Sequence, residues 1–523
     1  MTIKKYIIIL LGILLIASFF RLWDLGSIPP GIYPDEAINA NQAISEPGKI
    51  FYPENNGREG LFINLIALSF SVFGISIWSF KIVSALFGIF TILGLYLLTH
   101  ELFQHYENSS RSVALFASFF LATSLWHINF SHIGFRAILV PFVLTFSFYF
   151  LFKGFRTKKI FHFIIAGIIF GLGFHTYIAF RLAVLIIPVV LILWWLIYKK
   201  QNLQKQFLLF TFSFLLFTFI IAAPIGFYFL ENPENFISRT SGISIFSQPD
   251  PVKELGKSLI IHLAMFNIAG DYNWRHNISG SPVLFWPVGI LFLIGLFISI
   301  KKCLASLKYK KWSSVSGFWF LVSGFFIMLI PGILTYEGIP HCLRCIGAIP
   351  FTFIFAGIGG EFVYRKFKNF LKDKKKDWLY YLIIFSSILL VISFVFTQYY
   401  RYFIFWGKNP EVEKSFSKQC VEIGMYLNSV SEETRKYVII NESGPNPPLP
   451  VETIVFIQRT KSKETNTDMV FQDNLRTIKT GKKQTVIVLM DNNEKTIQEL
   501  QTAFPKGELV NEDTVWVYKI NGE

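Results

Sequence analysis

Apolar residues come in long blocks along this chain, and the polar residues between the blocks are unevenly spread. A membrane-spanning helix needs about 20 mainly apolar residues at about 1.5 Å rise each. That ruler predicts about eleven spans, near 6–22, 78–99, 112–129, 137–153, 160–178, 181–198, 207–229, 283–300, 313–332, 345–364 and 378–398. A shorter apolar run at 61–73 reads as a helix lying in the membrane interface. The run Tyr6–Phe20 after Lys4-Lys5 has the outline of a signal peptide. No small-residue cleavage site follows it, so it reads as an uncleaved first span.

Beyond residue 400 the pattern changes. Tyr437–Asn441, Thr453–Ile457, Thr485–Met490 and Thr514–Ile520 are rich in β-branched residues with turn formers beside them, which predicts strands. Val421–Val430 and Glu494–Phe504 carry helical periodicity. The chain therefore reads as a polytopic α-helical membrane domain at 1–399, with outer loops at 21–77 and 230–282, followed by a small α/β domain at 400–523.

Composition supports the class: 53% of the 523 residues are hydrophobic, only 16% are charged, and 59 are Phe. A soluble protein carries about 25% charged residues. The net charge of +15 raises nucleic-acid binding as an option, but the distribution argues against it. The cations fall in short segments between apolar blocks: Lys153/Arg156/Lys158/Lys159, Lys199/Lys200/Lys205, Lys301/Lys302/Lys308/Lys310/Lys311, and Arg365 through Lys376. Only the loop at 101–111 is weak, with Arg111 alone. This positive-inside pattern puts the N-terminus in the cytoplasm of a cell-membrane protein, and an odd number of spans sends the tail outside. Cys342 and Cys345 form a CxxC without a second pair, which points to a structural role.

The polar chemistry gathers on the predicted outer face. In Pro29-Pro30-Gly31-Ile32-Tyr33-Pro34-Asp35-Glu36-Ala37 the prolines fix a turn, and a helix starts at Pro34 or Asp35. Its carboxylates either only favour the positive helix end or act as a general base or metal ligand. Glu54-Asn55-Asn56-Gly57-Arg58-Glu59-Gly60 adds a second charged group. Arg136 follows a short turn and either snorkels or binds; His175-Thr176-Tyr177 with Arg181, and His341 with Arg344, mark further outer turns. Arg58, Arg136, Arg181 and Arg344 on one face suggest an anion site for a phosphate. A surface carboxylate, a cation cluster and access from lipid suit sugar transfer from a lipid-linked phosphate. Phosphate leaves with help from cations rather than an acid, while the acceptor hydroxyl needs a base, for which Asp35 is the candidate. One-step displacement inverts the sugar centre.

These motifs resemble the GT-C glycosyltransferases, in the branch similar to protein O-mannosyltransferases and aminoarabinose transferases. The resemblance rests on Pro29-Pro30-Gly31 with Asp35-Glu36-Ala37, Glu54-Asn55 with Gly57-Arg58-Glu59-Gly60, Gly173-Phe174-His175-Thr176-Tyr177 with Arg181, and Glu337-Gly338-Ile339-Pro340-His341 with Arg344 and Pro350. It covers roughly residues 1–365. It implies a polyprenyl-phosphate-linked sugar donor, inversion, and Asp35 as base beside Glu36. It implies donor-phosphate contacts from outer-face arginines, Arg136 and Arg344 foremost, with Tyr33, Glu54, Glu59, His175, Tyr177 and His341 as further site residues. A divalent metal near the first loop is also implied for some members, with Glu36, Glu59 and His341 as candidate ligands here. The chain lacks the His-Pro-Pro stretch of the protein O-mannosyltransferases, which counts against protein among the glycolipid, glycan and protein acceptors. The sugar, whether mannose, another hexose or a pentose, is open too.

Rival readings are a lipid-linked substrate transporter or flippase and a noncatalytic glycan-binding subunit. Ion-coupled transporters place ionisable residues mid-span and show repeats, and neither is evident in this sequence. An oligosaccharyltransferase of this class is expected to carry a WWD-type motif in its outer domain. Trp516 is the only Trp after Trp406, which favours transfer of a single sugar.

Overall fold

The computed structural model of the protein describes residues 3–105, 109–309, 312–372, 377–440 and 449–522. Lys310, Lys311 and Lys374 to Lys376 of the expected basic loops, and Asn441 of the first expected strand, lie outside the described residues.

Among the described residues, nine helices are long and apolar enough to cross a membrane: Ile3–Leu22, Ile77–Leu102, Arg136–Thr157, Ile178–Lys200, Gln204–Glu231, Trp286–Leu307, Ser316–Ile333, Ile346–Phe370 and Phe385–Trp406. Each coincides with an expected span. The expected span at 112–129 is instead a broken pair, Ser110–Ala122 and Leu125–His132, bent by 56°. The one expected at 160–178 contains the 14-residue helix Ile160–Gly173, too short to cross by itself. The segment expected to lie in the interface is the 13-residue helix Leu61–Phe73.

The chain divides into two compact units. The first comprises Met1–Trp23, Gly48–Phe62 and Ser84–Ile404, and holds most of the apolar helices. Two of them, Trp286–Tyr309 and Ile349–Lys372, approach backbone to backbone. A Cβ on Gly295 would lie 1.8 Å from the Phe355 carbonyl oxygen, and one on Gly359 would lie 2.0 Å from that of Leu291. Small residues let helices meet this closely in lipid, where dispersion rather than water exclusion drives packing.

The break in the bent pair has a visible cause. Arg21 was expected in the first outer loop, but it ends the first helix and is fully buried. Its guanidinium donates to the carbonyls of Leu121 (3.2 Å) and Ala122 (2.8 Å), and to Nδ1 of His127 (2.8 Å). Helix ends leave carbonyls without partners, and a cation there answers both the hydrogen bonds and the negative end of the dipole. A short hairpin, β1 (Phe51–Tyr52) and β2 (Arg58–Glu59), completes the parts of this unit that bear on function. Phe51 pairs with Glu59 and Tyr52 with Arg58.

The second unit comprises Asp24–Pro47, Ile63–Val83 and Phe405–Glu523. It is built on a five-stranded sheet of β3 (Arg435–Ile440), β4 (Thr467–Phe471), β5 (Thr485–Leu489), β6 (Glu508–Glu512) and β7 (Val515–Ile520). The spatial order is β4-β3-β5-β7-β6, with β3 parallel to both β4 and β5 and the last two strands antiparallel. Side chains alternate across it as a pleated sheet requires. Val438, Val486, Val488 and Val517 pack with Ile423, Leu427 and Ile454 on one face. On the other, Tyr437, Ile439, Ile487 and Leu489 pack with Leu475 and Leu500.

β3, β5 and β7 fall where strands were expected, as do the helices Lys418–Ser429 and Glu494–Ala503. Thr453–Ile457 is a correction. It lies inside the helix Leu449–Arg459, with Val451 and Ile454 buried three residues apart and Thr453 and Ile457 buried four apart. Pro450 suits a first helical turn, and this burial outweighs the strand preference of the β-branched run.

Candidate active site

In the second unit the acidic motif forms the helix Pro34–Ser45. Pro34 sits in its first turn, where the ring costs no hydrogen bond, and Asp35 and Glu36 face the positive end of the dipole. The two carboxylates then part ways. Glu36 is 0% exposed, and one of its oxygens accepts the Tyr33 N–H at 3.3 Å. Buried Lys81 lies within electrostatic reach of Glu36 and Asp24, and its Nζ reaches the Pro29 carbonyl at 3.4 Å. Asp35 is half-buried.

Elements of the same unit hold this helix in place. Asn41 donates to the Glu452 carboxylate at 2.7 Å, Arg459 donates to the Asn41 side chain at 3.2 Å, and Thr453 donates to the Ile32 carbonyl at 3.0 Å. Gly31 adopts φ +109°, and a Cβ there would lie 2.3 Å from the Phe416 carbonyl oxygen, so only glycine suits the loop before the acidic helix. The Tyr33 ring meets Phe416 edge-on at 6.1 Å.

In the first unit, three of the outer-face candidates join. Glu59 is buried between Arg136 (Nε to Oε2, 2.9 Å) and Arg181 (Nη2 to Oε1, 3.6 Å). Arg136 also donates to the Gly57 carbonyl at 3.2 Å and lies 5.4 Å from the centre of the Tyr177 ring. Arg181 stacks over Phe229 and Phe236 at 4.8 and 4.5 Å. Two guanidinium groups against one carboxylate leave this group net positive. Arg58 is buried beside Glu59 on β2, Glu54 is exposed in the hairpin turn, and His175 donates to the Ile221 carbonyl at 2.8 Å.

A second group of the first unit lies between Asp271 and Arg344. Successive side-chain-to-backbone turns curl the chain after residue 270: Asp271 accepts the Asn273 N–H at 2.8 Å, and Asn273 accepts the Arg275 N–H at 3.0 Å. The curl returns His276 to Asp271, with Nδ1 3.0 Å from Oδ2. The same Oδ2 accepts the Cys342 N–H at 2.7 Å, which brings His341 alongside, its ring 4.8 Å from that of His276. The ligand atoms of Asp271, His276 and His341 all lie within 4.8 Å of one another. Two imidazoles and a carboxylate are a donor set suited to zinc or a similar divalent ion. Arg344 borders the group and donates to the Glu337 carbonyl (2.6 Å) and the Thr335 hydroxyl (2.8 Å).

His262 supports the loop from behind: its Nδ1 donates to the Ser258 carbonyl at 2.8 Å, and its Nε2 accepts the His341 N–H at 3.4 Å. Burial lowers its pKa, which favours the neutral ring that accepting requires. Burial pushes the Cys342 thiol well up and the Cys345 thiol to about 12, so without a metal the CxxC stays protonated.

Of the three metal ligands expected from sequence, His341 joins this cluster. Glu59 is engaged by two arginines, and Glu36 belongs to the other unit. Asp271 and His276 were missed. They lie in a polar stretch rich in Asn, Ser and Gly without periodicity, and their only local signal is an Asp and a His five positions apart.

A family model described as dolichyl-phosphate-mannose-protein mannosyltransferase matches residues 61–228. A search of curated proteins found no match. Among solved structures the chain is similar to ArnT from Cupriavidus metallidurans bound to undecaprenyl phosphate, at 13% identity and a TM-score of 0.53, over 99% of this chain and 98% of that one. It is also similar to an oligosaccharyltransferase from Archaeoglobus fulgidus in the apo form, at 13% identity and a TM-score of 0.51, covering 89% of this chain. A third match is AglB of the same archaeon in complex with an inhibitory peptide and a dolichol-phosphate, again at 13% identity and a TM-score of 0.51, over 87% of this chain. The chain spans 64% of the length of each of these two archaeal chains. At such identities the likeness is one of fold.

Proposed function

We propose that this chain, a membrane protein with the GT-C glycosyltransferase fold, transfers a single sugar from a polyprenyl-phosphate carrier to an acceptor hydroxyl on the extracytoplasmic face. The observation that carries the reading is the division between Asp35 and Glu36, one half-exposed and the other locked in the core, within a chain of this fold. A carboxylate kept accessible at the first turn of an anchored helix is suited to take a proton.

In the proposed step Asp35 accepts the acceptor hydroxyl proton as the oxygen bonds to the sugar C1. The C1–O bond to phosphate breaks with its electron pair, leaving polyprenyl monophosphate and an inverted sugar. Arg344, together with the Arg58, Arg136 and Arg181 group, is assigned to the donor phosphate, since cations meet the charge that grows there. Asp271, His276 and His341 are assigned to a divalent ion, which when bound supplies positive charge to the departing phosphate. The lysine-rich loops support a cytoplasmic N-terminus and an outward tail.

The test is a proteoliposome assay with polyprenyl-phosphate-linked mannose and pentose donors and mixed glycolipid, glycan and peptide acceptors. Transfer with inversion by the native protein, lost in Asp35→Asn with insertion unchanged, is the expected result. Unchanged transfer by Asp35→Asn would remove Asp35 as base. Movement of the donor across the bilayer without transfer would favour the flippase.

A further inference from the structure

Where the bent pair breaks, between Ala122 and Leu125, a narrow cleft opens that includes none of the candidate site residues above. Phe120, Phe353 and Phe394 form apolar walls, while Ser124, Gln398 and Arg401 supply polar groups; no acidic side chain lines it. All belong to the first unit. The cleft lies at the end of the bundle opposite the lysine-rich loops, near the start of Trp286–Leu307 and the end of Phe385–Trp406.

Three features point to an anion there. The eight-residue helix Leu125–His132 begins at the cleft, and its N-cap Ser124 makes no side-chain cap, so its first N–H groups lack the usual oxygen partner. Gln398 is 2% exposed, yet its Nε2 donor has no hydrogen-bond partner among the described residues. A buried donor left unpaired is costly and calls for an acceptor. Arg401 makes no hydrogen bond or ion pair among the described residues, and its guanidinium is held 5.1 Å from the centre of the Phe285 ring. It stands in the π-helical stretch Tyr400–Trp406, a departure from regular helix often found at functional positions.

We propose that this cleft binds the phosphate headgroup of a membrane lipid. The open space is about 260 Å³ counting the mouth, yet the cleft itself has room for only about one water. The phosphate therefore sits at the lip beside Arg401, a water bridges inward to the Gln398 amide and the helix start, and the lipid chain leaves along Phe120 and Phe394. A cationic lip above apolar walls, within the span of the bundle, matches a lipid phosphate better than a soluble one.

Native mass spectrometry of the full-length protein, titrated with phosphatidic acid, phosphatidylcholine or inorganic phosphate, tests this. Expected is one tightly held phosphatidic acid, weakened about tenfold or more in Arg401→Gln and about threefold in Gln398→Leu. Phosphatidylcholine should bind more weakly, and inorganic phosphate should not displace the lipid. Equal binding by the native protein and a folded Arg401→Gln variant would overturn the proposal. If Arg401→Gln does not fold, equal binding by Gln398→Leu would do so. Displacement by inorganic phosphate at equal concentration would overturn the lipid assignment in favour of a soluble anion. No sugar donor is present, so the result is independent of the transferase reading.

Discussion

The acidic helix Pro34–Ser45 and the Asp271–His276–His341 cluster bring polar groups into place by opposite routes. In the helix, two adjacent carboxylates share one turn and are separated by environment: Glu36 is buried and hydrogen-bonded to its own helix start, and Asp35 keeps access to solvent. In the cluster, groups from two distant segments converge on a single carboxylate oxygen, which accepts the Cys342 N–H and faces His276. A shared turn thus leaves one carboxylate accessible and the other buried, whereas convergence yields a donor set fit for an ion.

That contrast can be broken at several points. The largest effect is expected from Asp35→Asn, which should lower transfer by about 10²–10⁴-fold, the usual range for a general base, while the thermal unfolding midpoint stays put. A midpoint that falls with the activity would make Asp35 a structural residue like its neighbour.

Glu59→Gln comes next, because it leaves two largely buried guanidinium groups without their carboxylate. Breaking a buried pair costs about 3–5 kcal/mol, so the folded fraction in detergent should drop sharply under mild denaturant. Unchanged stability would show that the arginines find other partners.

His276→Ala or His341→Ala should weaken retention of a divalent ion by at least about tenfold, as losses around metal sites do. Elemental analysis after dialysis against graded chelator measures it, and equal metal content in native and variant protein would reduce the cluster to a hydrogen-bond network.

The smallest effect concerns His262. Its pKa is depressed by burial, so its stabilising contribution is present above the unfolded value of about 6.5 and is lost as pH falls below it. The unfolding midpoint should decline between about pH 7 and pH 5, and His262→Gln, which keeps an acceptor without titrating there, should flatten that decline.

How far each region could be read from sequence follows from its construction. Spans are local, needing only a run of apolar residues, and nine fall where the runs lie. The break after Ala122 depends on Arg21 reaching carbonyls 100 positions away, which no local pattern encodes. In the sheet, the central strands β3 and β5 are apolar on both faces and legible, while the edge strands β4 and β6 expose polar residues and were missed. Asp35 and Glu36 stand out because three prolines and two acids mark one turn, yet which of the two stays accessible depends on the packing around them. The four arginines stood out in the sequence as candidate cations, but not that Arg136 and Arg181 share Glu59. Asp271 and His276 gained meaning only when the loop curled back on Asp271 and the Cys342 N–H brought His341 beside them.

A comparison of lipid-linked and envelope glycans from cells with and without the protein decides whether this chain is a polyprenyl-phosphate-dependent transferase. The account predicts that loss of the protein removes one sugar residue from an envelope glycan and causes its polyprenyl-phosphate donor to accumulate. An unchanged glycan profile with no build-up of donor would contradict it.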